Sequence, residues 1–114
     1  MAERKVSWEK IARDIEKELR GDYILKIHSD EKVAGLYWPG KGKEDINVDG
    51  NAEKVTIYKR GCGLRYFDIY AMVKKIVSKQ VSGVTEKDLE DKDNPGIELY
   101  FSEKGLRWGQ IEIP

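Results

Sequence analysis

The chain has 114 residues with 21 basic and 21 acidic side chains, so its formal net charge is zero. Its length suits one domain, and a hydrophobic content of 39% is enough for a small core, which excludes wholesale disorder. The balanced charge excludes a uniformly basic nucleic-acid coat and a uniformly acidic mimic of one. We therefore expect a single α+β domain over residues 1–114.

The zero net charge is a balance between two oppositely charged segments. Residues 53–84 contain seven basic and two acidic side chains, whereas residues 85–114 contain four basic and eight acidic ones. Such an asymmetry indicates either a binding surface or two parts of one fold that face each other. The sequence leaves both alternatives open.

Composition also limits the class of protein. No apolar run approaches the ~18 residues of a membrane span, and the N-terminus lacks the apolar stretch of a signal peptide. We therefore expect a cytosolic protein without a membrane partner. The single Cys62 excludes an internal disulfide, and together with the single His28 it excludes the common zinc motifs. We expect no metal and no cofactor.

The first predicted element is a helix over about residues 7 to 20. Ser7 is a typical N-cap residue, and Gly21 offers a left-handed stop at the other end. Apolar residues between them follow the spacing of one helical face, and these are Trp8, Ile11, Ala12, Ile15 and Leu19.

Strands are predicted next. From residue 23 apolar and polar side chains alternate as far as His28, and a polar turn at residues 29–32 leads into a second strand over residues 33–38. Residues 39–43, with sequence PGKGK, form a loop. Residues 46–48 and 55–58 flank a turn signal and form a second hairpin, with a loop somewhat longer than the tightest kind.

The second half begins with a helix and ends in a hairpin. Residues 65–81 are apolar over a wide arc, which predicts a helix more buried than the first. We expect residues 85–88 to form a short turn of helix, and residues 97–102 and 106–113 to form the final hairpin. The predicted order is α-β-β-(β)-β-α-β-β, with two main helices packed on an antiparallel sheet.

Two motifs are weighed for enzymatic or metal chemistry. Residues 45–50 (DINVDG) match the opening of a calcium-binding loop, but Thr56 stands where the bidentate acid is required, so we interpret them as a strand and turn. Cys62 lies before a predicted helix among basic residues, which favours a reactive thiolate, with His28 as its base. No third, orienting group can be assigned. The sequence thus identifies no catalytic residue.

The basic segment contains the candidate binding residues. Cations interleaved with aromatic side chains can follow a phosphate backbone and stack on bases; alternatively, the acidic segment neutralises them within the fold. Tyr37 and Trp38 are adjacent on a strand and point to opposite faces, so one of them is a contact candidate. The candidate partner-binding residues are Trp38, Lys41, Lys43, Lys59, Arg60, Arg65, Lys74, Lys75 and Lys79.

Three functional hypotheses follow. The first is a small, non-enzymatic, cytosolic interaction or regulatory protein of the inhibitor, immunity or adaptor type. It would present a sheet edge or a charged face to an unknown macromolecule, and a protein partner is favoured over nucleic acid. The alternative is a nucleic-acid-binding module that uses the basic cluster around the second helix. The third is a cysteine-dependent enzyme built on Cys62.

Overall fold

The computed structural model describes residues 7–19, 21–40, 42–59, 65–81, 84–89 and 91–101. Helix α1 spans Trp8–Glu18, and its N-terminus is capped as predicted, because the Ser7 hydroxyl accepts a hydrogen bond from the backbone N–H of Lys10 at 3.2 Å. Gly21 follows with a φ of +82°, in the left-handed region that a glycine adopts readily.

Six strands and a second helix complete the described part of the fold. Strands β1 (Ile24–His28) and β2 (Val33–Tyr37) form one hairpin, and β3 (Ile46–Asp49) and β4 (Lys54–Tyr58) form the next. Helix α2 spans Tyr66–Gln80. Strands β5 (Thr85–Asp88) and β6 (Gly96–Tyr100) follow it.

The strands form one antiparallel sheet in the order β1-β2-β3-β4-β6-β5. The predicted fold class and element order are confirmed, and the strand predicted over residues 97–102 corresponds to β6, but β5 is not a predicted strand. Residues 85–88 were expected to be helical and form β5, because they pair with β6 along their whole length. The expected second strand of the last hairpin, residues 106–113, lies outside the described residues.

Both helices pack on one face of this sheet. The register places the inward side chains of β2, β3, β4 and β6 in rows across that face, where they meet one stripe of each helix. The buried apolar side chains are Ile11, Ala12, Ile15, Leu19, Tyr23, Ala34, Leu36, Ile46, Val48, Val55, Ile57, Ile69, Val73, Ile76, Val77, Leu99 and Phe101. No described element covers the opposite face, which we call the open face.

Helix α1 meets the β3–β4 hairpin at its N-terminal end. A Cβ atom on Gly50 would lie 2.6 Å from Cγ of Trp8, so the indole ring packs where only a glycine leaves room. Both hairpins of the first half have four-residue loops whose last residue is left-handed, with φ of 57° at Lys32 and at Glu53. This matches the predicted longer turn.

Within the described residues, no helix is both long and apolar enough to span a lipid bilayer.

Candidate functional site

Several of the candidate binding residues lie at one end of the sheet. The register sets Ile24 opposite Tyr37, and Tyr58 opposite Gly96. The starts of β1, β3 and β6 therefore lie at the same end as the ends of β2, β4 and β5. We call this the upper end. Arg65, just before α2, joins it through an ion pair with Asp22 at 3.8 Å.

The exposed large apolar side chains of the described residues all lie at the upper end. Ile24 at the start of β1 is 48% exposed, Trp38 after β2 is 40% exposed, and Phe67 in the first turn of α2 is 71% exposed. Large apolar side chains are the usual anchors of protein interfaces. Only Trp38 was predicted as a contact residue.

Trp38 is held in place although it is exposed. Its ring meets the buried ring of Tyr23 edge to face, with centroids 5.4 Å apart and planes at 78°. Tyr37 points to the open face, where the ammonium group of Lys26 lies 4.8 Å from its ring centroid. The two adjacent aromatic residues thus take opposite faces, as expected. Ile24 and Trp38 flank the start of the edge strand on its two sides, and we call them the β1 corner.

The other predicted basic residues of this end are dispersed. Lys43 and Lys59 are exposed, and the backbone N–H of Lys59 donates to the carbonyl of Pro95 at 2.8 Å, which ties β4 to the loop before β6. Lys41 and Arg60 lie outside the described residues, as does Cys62. Among the described side chains predicted as contacts at this end, that of Arg65 pairs with Asp22 and that of Trp38 packs on Tyr23.

The lysines of α2 divide into a paired and an unpaired set. Lys74 forms an ion pair with Glu86 of β5, and the hydroxyl of Tyr70 donates to the same carboxylate at 2.6 Å. The hydrogen bonds from Lys74 and then Tyr70 lower the pKa of Glu86, and the bond to Glu86 raises the pKa of Tyr70. Lys75 and Lys79 are exposed and form no ion pair with any described side chain.

A second ion pair joins the basic and acidic segments on the open face. Lys54 of β4 and Glu98 of β6 form it, and the carboxylate is almost fully buried. Burial tends to lower the pKa of Lys54, but the hydrogen bond and negative charge of Glu98 outweigh burial and raise it. The oppositely charged segments therefore meet within the fold at two places.

The aromatic residues expected to accompany the lysines are not gathered around them. Tyr66 is half-buried against the core and meets Phe67 edge to face, with centroids 5.2 Å apart. Tyr58 is the last residue of β4 and lines a cleft at that end of the sheet. On the open face, Lys54 lies 5.9 Å from the ring centroid of Tyr100. The described residues therefore present no row of free aromatic faces beside a row of cations.

An open cleft of about 370 Å³ lies at the upper end beyond β4. The β2–β3 loop and the β5–β6 loop form its walls, which carry both a lysine and carboxylates. Its lining residues are Gly42, Lys43, Glu44, Tyr58, Leu89, Asp91 and Asn94. Asp91 and Asn94 also hydrogen-bond to each other, at 3.3 Å, so the loop organises its own polar groups.

The calcium-like motif does not form an ion-binding loop. Asp45, Asn47 and Asp49 lie along extended chain, where alternate residues are separated by about 6.6 Å rather than converging. Oδ1 of Asp49 instead accepts the backbone N–H groups of Asn51 and Ala52 at 2.8 and 3.0 Å, which fixes the hairpin turn. No described group of three or more metal-ligating side chains is suitable for an ion.

The sequence did not indicate that the side chain of Asp45 is buried. It is 1% exposed, and its Oδ2 atom has no hydrogen-bond partner among the described residues. Its backbone N–H donates to the carbonyl of Leu36, and its carbonyl accepts from the backbone N–H of Tyr58, each at 2.9 Å. Asp45 does not line the cleft.

The chain matches no protein-family model, no curated protein and no solved structure.

Proposed function

We propose that the protein is a small interaction protein that binds a macromolecular partner, a protein, through the β1 corner. The observation that carries this proposal is the exposure of Ile24 and Trp38 at the start of an edge strand, one on each face of the sheet. A tryptophan fixed against Tyr23 loses little conformational freedom on binding, so its burial contributes to affinity with a small entropic cost.

The charge arrangement favours a protein over a polyanion. Lys54 and Lys74 are engaged by carboxylates of the acidic segment, and Arg65 is engaged by Asp22. A polyanion would have to compete with these internal partners, whereas an apolar contact at the β1 corner disturbs none of them. Net charge is also zero, so long-range steering toward nucleic acid is weak.

The test is a quantitative capture experiment with the full chain. Tagged wild-type protein is compared with Trp38→Ala and Ile24→Lys, which change exposed positions outside the central core. We expect each change to reduce the retained partner at least about tenfold, since a central tryptophan contact contributes ~2 kcal/mol or more.

The matched control is Phe67→Lys, which makes the same kind of change as Ile24→Lys at a more exposed apolar residue of α2. We expect the control to retain the partner. Equal retention by wild type, Trp38→Ala and Ile24→Lys contradicts the proposed site, and loss only in Phe67→Lys moves the contact to α2.

Nucleic-acid binding is the second candidate, favoured by one observation. Lys75 and Lys79 lie exposed on α2, four residues apart, with no acidic partner among the described residues. The test is retention on single-strand and duplex oligonucleotides as salt is raised. Salt-sensitive retention that is lost in Lys75→Glu with Lys79→Glu, and kept in Trp38→Ala, supports this candidate over the first.

A further inference from the structure

The described sheet has two edge strands, and they differ in chemistry. Strand β5 is charged at three of its four positions, Glu86, Lys87 and Asp88. Glu86 is also held toward α2 by Lys74 and Tyr70. Charge of this density discourages another strand from pairing at β5.

Strand β1 is the more permissive edge. Its sequence is ILKIH, so three of its five residues are apolar and Lys26 is its single lysine, arginine, aspartate or glutamate. Ile24 is exposed at its upper end, and Trp38 is exposed at the same end on the other face of the sheet. One charged residue restrains pairing at an edge less than three do.

The backbone register shows which groups of β1 face outward. Successive residues of a strand direct their N–H and C=O groups alternately to the two sides. The carbonyl of Leu36 accepts from Asp45 on the β3 side, so Leu25, opposite Leu36, forms a non-hydrogen-bonded pair with β2. The N–H and C=O groups of Leu25, and of Ile27 two residues on, therefore point away from β2 and have no partner among the described residues.

We propose that β1 receives an extended segment of the protein partner as an additional strand of the sheet. This deepens the proposed function and rests on it, since the β1 corner lies at one end of that strand. Four outward backbone groups, two donors and two acceptors, specify an extended chain rather than a helix. They also set the register of the added strand to Leu25 and Ile27.

The open-face side chains of β1 define the chemistry of the segment. Lys26 has no carboxylate partner in the described structure, and an acidic residue opposite it forms a favourable cross-strand pair. Ile24, two residues earlier on the same face, favours an apolar residue. The partner segment is therefore extended, with an acidic residue and an apolar residue two positions apart.

Amide hydrogen exchange tests the geometry. In the free protein, the amides of Leu25 and Ile27 should exchange at least about tenfold faster than those of Lys26 and His28, which bond to β2. In the complex with the captured partner, Leu25 and Ile27 should slow by a similar factor. Protection of Trp38 and its neighbours without protection of Leu25 and Ile27 overturns the added strand and leaves the proposed function standing.

A synthetic probe tests the chemistry without the natural partner. The probe is a nine-residue capped peptide with a central glutamate flanked by alternating valine and threonine, titrated into labelled full-length protein. Amide shifts should concentrate in β1 and β2. The same peptide with a central lysine should bind about threefold or more weakly, and one with a central proline should not bind.

Charge reversal in the protein supplies the matched comparison. Lys26→Glu should make the lysine peptide the better ligand, while Lys75→Glu, the same change at an exposed site on α2, should keep the original order. An unchanged order in Lys26→Glu, binding of the proline peptide, or shifts centred on β5 overturns the inference. If peptides behave as expected while capture is unaffected by Trp38→Ala, the β1 edge stands and the proposed corner falls.

Discussion

Lys74 of α2 and Glu86 of β5 form an ion pair, and the Tyr70 hydroxyl donates to the same carboxylate. This relationship joins the basic helix to the acidic segment that follows it. The basic and acidic segments of the sequence therefore partly neutralise each other inside the fold. The Lys54–Glu98 ion pair joins the same two segments on the opposite face of the sheet. Two lysines of α2, Lys75 and Lys79, remain without an ion-pair partner among the described residues. The apolar β1 corner takes no part in these ion pairs.

Removing the Glu86 carboxylate should destabilise the protein in a pH-dependent way. Its pKa lies below the ordinary 4.5, so its contribution to stability is present above pH 4.5 and is lost as pH falls through the lowered pKa. Glu86→Gln should lower Tm slightly at neutral pH and leave it unchanged well below the lowered pKa. Thermal melts across pH measure this, with Lys75→Gln as control; a difference that does not depend on pH contradicts the pairing.

Removing the Lys54 ammonium group should cost more than removing a surface charge. Glu98 is only 7% exposed, so Lys54→Met leaves a buried carboxylate without its cation, at a cost of about 2–3 kcal/mol. The double variant Lys54→Met with Glu98→Gln should recover at least half of that loss, because neither charge remains. Urea denaturation of the four proteins gives the coupling, and additive losses would contradict it.

Gly96 should resist substitution for a packing reason. A Cβ atom there would overlap the carbonyl oxygen of Ile57 and lie 3.2 Å from its carbonyl carbon, and backbone cannot move aside as a side chain can. Gly96→Ala should destabilise the protein by about 2 kcal/mol or more, by separating β4 from β6. Gly42→Ala meets nothing within 4 Å and should change stability by less than about 0.5 kcal/mol. Equal effects in urea titrations would refute the contact.

Trp38→Ala should separate binding from folding. The lost edge-to-face contact with Tyr23 contributes about 1 kcal/mol, so the variant should remain folded with a modest fall in Tm. Partner retention should fall far more than this small loss of stability can explain, because the variant stays folded. Circular dichroism with thermal melts checks the fold; a variant that unfolds at room temperature would show that Trp38 supports the core instead.

Local patterns predicted most of the fold. Ser7 and Gly21 set the limits of α1, and alternation with turn residues placed the first four strands, because these signals depend on near neighbours along the chain. Strand β5 was missed since Thr85–Asp88 has little strand propensity of its own and becomes extended through its pairing with β6.

The site was less predictable than the fold. Opposite-face reasoning identified Trp38, but Ile24 resembled any alternating strand residue, and its exposure follows from its place on the open face of an edge strand. The pairing of Lys54 with Glu98, 44 residues apart, and of Lys74 with Glu86 required the strand order. The sequence therefore predicted Lys74, Lys75 and Lys79 together as binding residues, whereas Lys74 is engaged by Glu86 within the fold.

Photo-cross-linking locates the partner on the surface of the protein. Benzoylphenylalanine is placed at Ile24 in one variant and at Lys79 in another, both exposed sites, one at the β1 corner and one near the C-terminal end of α2. We predict one dominant cross-linked protein from position 24, abolished by Trp38→Ala, and none from position 79. A dominant adduct from position 79 with none from position 24 would contradict it.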